Sequence, residues 1–222
     1  MKRLTYIFSA SALLLAVGIL LFGFTACTSN DTSKVNTAAK SPVISAPAVE
    51  LKTSMRKLWE EHVGWTRNVI LCLVDGTPGT EQAVNRLLQN QVDIGNAIKP
   101  YYGEAGGKKL TELLYAHVSI STEVVKAAKA EDAIAFDEAN KKWYANADQI
   151  AEFLSKTNPN WALADLKLMM NEHLKLTTDE ATQRINKDYD ADVLAYDKVH
   201  NGILKMSDML ADGITKQFPE KF

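Results

Sequence analysis

Residues 51–74 read LKTSMRKLWEEHVGWTRNVILCLV, and their spacing decides the fold class. Met55, Leu58, Trp59, His62, Trp65, Val69 and Leu73 recur at three and four, which lines one face of an α-helix. A strand would need alternation at two. Asp75-Gly76-Thr77-Pro78-Gly79 then stops the run through Gly and Pro chemistry.

The same period continues outward to the C-terminus. Thr80-Glu81 opens a second run as a cap with an acidic first turn, carrying Val84, Leu87, Leu88, Gln91, Ile94 and Ile98 on its stripe. Lys99-Pro100-Tyr101-Tyr102-Gly103 breaks or kinks it. The third run, 104–129, aligns Leu110, Leu113, Leu114, His117, Ile120 and Val124. The fourth, 131–155, aligns Phe136, Ala139, Trp143, Ala147, Ile150 and Leu154. Thr157-Asn158-Pro159-Asn160 reads as a turn with Asn160 as cap. A short fifth helix follows with Leu166, Met169, Met170 and His173 on one side. Thr177-Thr178-Asp179-Glu180 matches a capping box and predicts the start of a long last helix, ending before Pro219. No alternating β-branched stretch competes. The expectation is an all-α antiparallel helical bundle with a four-helix core, built from five to six helices, some kinked or paired.

Upstream of this domain lies a different kind of sequence. Residues 1–26, MKRLTYIFSASALLLAVGILLFGFTA, join a basic start at Lys2 and Arg3 to an apolar stretch and a small residue before Cys27. That is the grammar of a secretory signal. Phe24-Thr25-Ala26-Cys27 resembles the bacterial lipobox, with Phe24 where Leu is usual, and it predicts lipidation at Cys27. An uncleaved N-terminal anchor helix is the other reading. Either one places the protein outside the cytoplasm, anchored to a membrane of the bacterial cell envelope. Residues 27–49 then form the lipidated Cys and a Ser/Thr/Ala/Pro-rich flexible linker, and 50–222 the helical domain.

Composition closes off several function classes. The chain has 222 residues, 46% of them hydrophobic, which is enough for a packed core. Removing Lys2 and Arg3 from the 25 basic residues leaves 23 against 27 acidic ones, so bulk charge does not attract nucleic acid or anionic lipid. Two cysteines cannot staple a scaffold, and Cys72 reads as a packing thiol. The glycine-rich string 103–109, GEAGGKK, has one residue too few for a phosphate-binding P-loop and Lys109 where Ser or Thr belongs. No nucleophile elbow or zincin motif occurs, so no catalytic residue is assigned and an enzyme is the less favoured reading.

The chemistry-bearing residues are the four histidines, His62, His117, His173 and His200, one in each of four predicted helices and each beside an apolar stripe. Imidazoles pointing inward from facing helices suit a transition metal, zinc or iron over copper, or a b-type haem. The methionines at 169, 170, 206 and 209 read as core rather than copper ligands. Asp197 stands three residues before His200 and shares its face. Covalent c-type haem is excluded by the absence of Cys-x-x-Cys-His, and the paired Glu-x-x-His motifs of di-iron bundles are absent. His117 and His200 are the first candidates. A supporting polar network is expected from Arg86, Asn90 and Asp93, which share one face, with Arg67 completing it. The alternative function is a structural or protein-interaction lipoprotein with no cofactor. An enzyme using histidine as acid or base is a third class.

Several strings resemble, taken together, a family of secreted or lipid-anchored bacterial helical proteins without an assigned activity. They are Leu58-Trp59 with His62 and Trp65-Thr66-Arg67; Asn90-Gln91-x-Asp93-Ile94-Gly95; Ala97-Ile98-Lys99-Pro100-Tyr101-Tyr102-Gly103; Asp197-x-x-His200; and Gly213-Ile214-x-Lys216-Gln217-Phe218-Pro219-x-Lys221-Phe222. The resemblance spans 51–222 and implies one helical domain. Labels of glycosyltransferase or acetylglutamate kinase carried by some members find no nucleotide-binding α/β pattern here.

Overall fold

A computed structural model describes residues 45–222 of the chain. The signal segment, Cys27 and the linker up to residue 44 lie outside the described residues. Five helices follow in order: α1 (Ala46–Asp75), α2 (Thr80–Lys129), α3 (Ala133–Thr157), α4 (Leu163–Ile185) and α5 (Tyr189–Gln217), with one 3₁₀ turn at Pro219–Lys221. The architecture is the expected all-α bundle.

α1 begins five residues before the expected Leu51. Ser45 Oγ accepts from the Ala48 amide at 3.3 Å, and Pro47 sits in the first turn, where its missing N–H costs nothing. The last residues assigned to the linker, 46–49, are therefore helix. Gly76, at φ 69°, ends α1 by donating to Cys72 O.

α2 is a hairpin of two helical arms, 80–102 and 104–129. A straight helix would separate Gln91 from Thr111 by about 30 Å. Instead Thr111 Oγ1 donates to Gln91 O at 3.4 Å, so the arms run back along each other. Gly103 makes the reversal, with φ 72° and ψ 175°, a conformation open only to glycine. Gly95 and Gly107 let the arms touch backbone to backbone: a Cβ on Gly107 would lie 2.6 Å from Gly95 O. The sequence placed this break correctly. The glycine-rich string 103–109 is the turn and first residues of the second arm.

The break between α4 and α5 lies elsewhere than expected. Thr177 does not cap a helix; it stands inside α4 and its hydroxyl donates to His173 O at 2.8 Å. Thr178 and Thr182 do the same one turn back. Such back-bonding uses the residues of a capping box without ending the helix. The actual break is Asn186-Lys187-Asp188, with Lys187 at φ 60° and Asp188 capping Ala191 N. Asn160 is likewise not a cap, because α4 starts after Ala162 with no side-chain bond.

Each helix packs on its neighbours in a ring: α1 on α2, α2 on α3, α3 on α4, α4 on α5, and α5 back on α1. The enclosed core holds Met55, Trp59, Ile94, Leu114, Ile150, Leu166 and Ile203, all nearly inaccessible. Cys72 is a free, half-buried thiol on a smaller cluster with Val69, Ala83, Leu87 and Val118. At one end, the Tyr101-Tyr102 tip of the α2 hairpin receives the C-terminus. Tyr101 stacks on Phe222 at 5.8 Å, Tyr102 meets Phe218 edge-on at 5.5 Å, and Lys221 Nζ donates to Pro100 O. No helix among the described residues is long and apolar enough to cross a membrane.

Candidate functional site

Three of the four histidines converge. His62 comes from α1, His117 from the second arm of α2, and His173 from α4, each on the inward stripe of its helix. The His173 ring stands between the others, its centroid 6.0 Å from His62 and 6.1 Å from His117. Rings on opposite sides of one ion would stand at most about 6.4 Å apart, from a metal–nitrogen bond near 2.1 Å plus the ring radius. Each neighbouring pair is within that reach. No group of three His, Cys, Asp or Glu among the described residues is placed to hold an ion jointly.

The partner of His117 fixes its tautomer. Asn146 Nδ2 donates to Leu113 O, which leaves Asn146 Oδ1 as an acceptor 2.8 Å from His117 Nδ1. His117 therefore carries its proton on Nδ1 and keeps the Nε2 lone pair free. Gln91 Nε2, which donates to Leu87 O and to Asn90 Oδ1, also lies 3.2 Å from His62 Nδ1. His173 differs from both: its Nδ1 is buried with no hydrogen-bond partner.

All three imidazoles are held neutral. Burial, with His117 as a second like charge, pushes His62 down to about 3. Burial pushes His117 down to about 4. His173 falls well below its ordinary value through burial and then through its two neighbours. A neutral imidazole is the form that ligates a metal. The space enclosed beside them is small, about 20 Å³, and its wall includes Met55, Trp59, Met170 and Met206 with no carboxylate. That is room for about one water.

His200 is not part of this cluster. It lies partly exposed between α1 and α5, where Nε2 is 3.0 Å from Glu60 Oε1 and the ring leans on Tyr196 at 6.0 Å. Asp197 is exposed on the same helix. Their expected pairing as ligands inside the bundle is thus corrected: the i, i+3 spacing holds, but the face they share borders solvent.

The expected polar network divides in two. Asn90 is buried and donates to Leu58 O, while its Oδ1 accepts from Gln91 Nε2, so it supports the His62 partner. Arg86 and Asp93 are about one-third exposed; Arg86 pairs with Glu61 at 3.0 Å and with Asp93 at 3.9 Å. Arg67 does not join them. It holds Glu180 and Asp192, both 1% exposed, with Nη1 at 2.8 Å from each and Nη2 at 3.1 Å from Asp192. Arg184 reaches Asp192 at 3.6 Å and bonds Asp75. Burial raises the Glu180 carboxyl to about 7 against the pull of Arg67.

A second opening meets the cluster from outside. A groove of about 340 Å³ runs between α4 and α5 and has His173 in its wall, the same ring that lines the inner cavity. Lys198, Lys205 and Glu172 stand along it, none of which sequence periodicity singled out. Comparison with protein-family models, with curated proteins and with solved structures finds no match to this chain.

Proposed function

We infer that this chain is a lipid-anchored helical bundle of the bacterial cell envelope that binds a transition metal, zinc or iron over copper, or a b-type haem through histidines inside the bundle. The reading is carried by His62, His117 and His173, three neutral rings brought together from three helices, one with an unpartnered buried nitrogen. A buried polar atom without a partner costs about 1–3 kcal/mol unless a ligand satisfies it. His200 and Asp197 are not among the ligands. The membrane attachment is Cys27, by the lipobox resemblance.

Elemental analysis and an absorption spectrum of the full chain, purified in detergent, test this reading. The expected result is one equivalent of bound metal or a Soret band, lost in His173→Ala. A metal-free, colourless protein that takes up neither ion nor haemin overturns it. Incorporation of labelled palmitate, absent in Cys27→Ser, tests the anchor.

One observation favours the second reading, an interaction lipoprotein without cofactor. Tyr189, Val193 and Leu194 open α5 with 52%, 51% and 61% of their surfaces exposed, on a helix whose opposite face is packed. Exposed apolar clusters of this kind mark contact sites.

A further inference from the structure

α4 and α5 are joined by the short break at 186–188 and run antiparallel, as helices on so short a connection must. The groove between them has a sealed floor: Val199, Ile203 and Met206 are 1–3% exposed, and the unpartnered nitrogen of His173 is enclosed. What the groove offers to a partner is its two rims. On α4 the rim is Leu168, Glu172 and Leu176, at i, i+4 and i+8. On α5 it is Leu194, Lys198 and Lys205, at i, i+4 and i+11. Leu168 and Leu194 are 68% and 61% exposed. Glu172, Lys198 and Lys205 are exposed as well, and none of the three is in an ion pair among the described residues. An acid on one rim and two bases on the other thus line one groove without reaching each other across it.

Charge decides what can cover such a face. Each rim carries the charge that the other lacks, so the face is complementary to a second copy of itself. A two-fold axis parallel to the helices lays α4 of one copy over α5 of the other, antiparallel and at the same height. Glu172 of each copy then meets the Lys198 and Lys205 of its mate, twice over. A two-fold axis across the helices would lay α4 on α4 and α5 on α5, and set lysines against lysines.

We propose that the α4–α5 face is the interface of a homodimer with its two-fold axis parallel to the helices. The two grooves close on each other as a four-helix layer, which covers Leu168 and Leu194 and pairs Glu172 with lysines of the second copy. Gly202, between the rims, adds no side chain to the seam. Both Ser45 ends then lie at the same end of the pair, as two chains anchored through Cys27 in one membrane need. The interface does not depend on what the histidines bind.

Native mass spectrometry and sedimentation equilibrium of the full chain in detergent test the proposal. The wild-type chain is expected to be a dimer. Glu172→Lys is expected to raise the dissociation constant about tenfold or more, because the new cation faces two lysines. Lys198→Glu with Lys205→Glu does the same with acids. Mixing these two variants restores the dimer, since both contacts of the mixed pair join opposite charges. The variants share one anchor, so the pattern separates this interface from two anchors held in one micelle. Helical circular dichroism accompanies each variant; should a charge variant fail to fold, Leu168→Asn, at an exposed position, is expected to weaken the dimer in its place. A monomeric wild-type chain overturns the proposal. A dimer indifferent to Glu172→Lys and to the double lysine variant overturns this face as its interface. A mixture that stays monomeric overturns the two-fold arrangement.

Discussion

Trp161 can sit 2% exposed in the core because residue 213 has no side chain. A Cβ on Gly213 would fall 1.9 Å from Trp161 Nε1 and 2.5 Å from Cδ1, inside any allowed contact. The indole has no room to retreat, since it also packs on Tyr102 at 5.8 Å. Gly213→Ala is expected to destabilise the domain by about 1–3 kcal/mol, the range for overpacking a filled core, despite alanine's better helix propensity. Urea unfolding followed by circular dichroism measures it; an unchanged midpoint would refute the tight fit. The residue scale is also where sequence reading reached its limit at the candidate site. The apolar stripe identified His62, His117 and His173 as inward residues, but His200 was ranked first with His117, ahead of His62 and His173. Period alone gives the azimuth of a residue on its own helix. It does not say which neighbour that azimuth meets, and His200 faces the open seam of α1 and α5. Gln91 was visible as a polar member of an apolar stripe. Asn146 was not, though it stands between Trp143 and Ile150 on the buried face of α3.

At the scale of elements, α2 shows how a glycine redirects a helix. Gly103→Ala is expected to cost about 1–3 kcal/mol, because φ 72° with ψ 175° is essentially closed to residues with a Cβ. Gly107→Ala attacks the same hairpin by another route, forcing the arms apart at Gly95. Both variants are expected to lower the thermal midpoint, and Gly64→Ala in α1 serves as the milder comparison, since its Cβ would meet nothing within 4 Å. Equal melting of all three variants would show that the crossing carries no special constraint. This reversal was legible because Pro100 and Gly103 have strong local effects that tertiary packing cannot remove. The α4–α5 boundary was not. Thr177 and Glu180 have the residue types of a cap, but in the folded chain Thr177 bonds backward and Glu180 bonds Arg67 across the bundle. A long-range ion pair with a sequence separation of 113 leaves no mark on local periodicity.

For the molecule as a whole, the buried titratable groups set the response to acid. His62, at about 3, His117, at about 4, and His173, well below its ordinary value, stay neutral in the folded state while the unfolded chain takes up their protons near 6.5. The unfolded state then holds more protons, so these rings make stability fall as pH drops below about 6.5. Glu180 acts in the opposite sense. Its folded carboxyl, raised to about 7, keeps a proton that the unfolded chain releases above about 4.5, so its contribution grows as pH falls from 7 to 4.5. Arg67, raised against its own burial by its bonds to Asp192 and Glu180, holds its charge through that interval. Asp208, lowered by its Arg56 partner, loses its contribution only below the ordinary carboxylate range, outside the interval. Three histidines against one carboxyl leave a net uptake of about two protons on unfolding between pH 6 and 5. The slope is then about 3 kcal/mol per pH unit, against a typical domain stability of about 5–15 kcal/mol. Urea melts at pH 7, 6, 5.5 and 5 are expected to show this steep loss. Glu180→Gln removes the opposing group, so its slope is expected to rise toward three protons. A slope near zero in both proteins would mean that the three rings are protonated in the folded bundle, contrary to their burial.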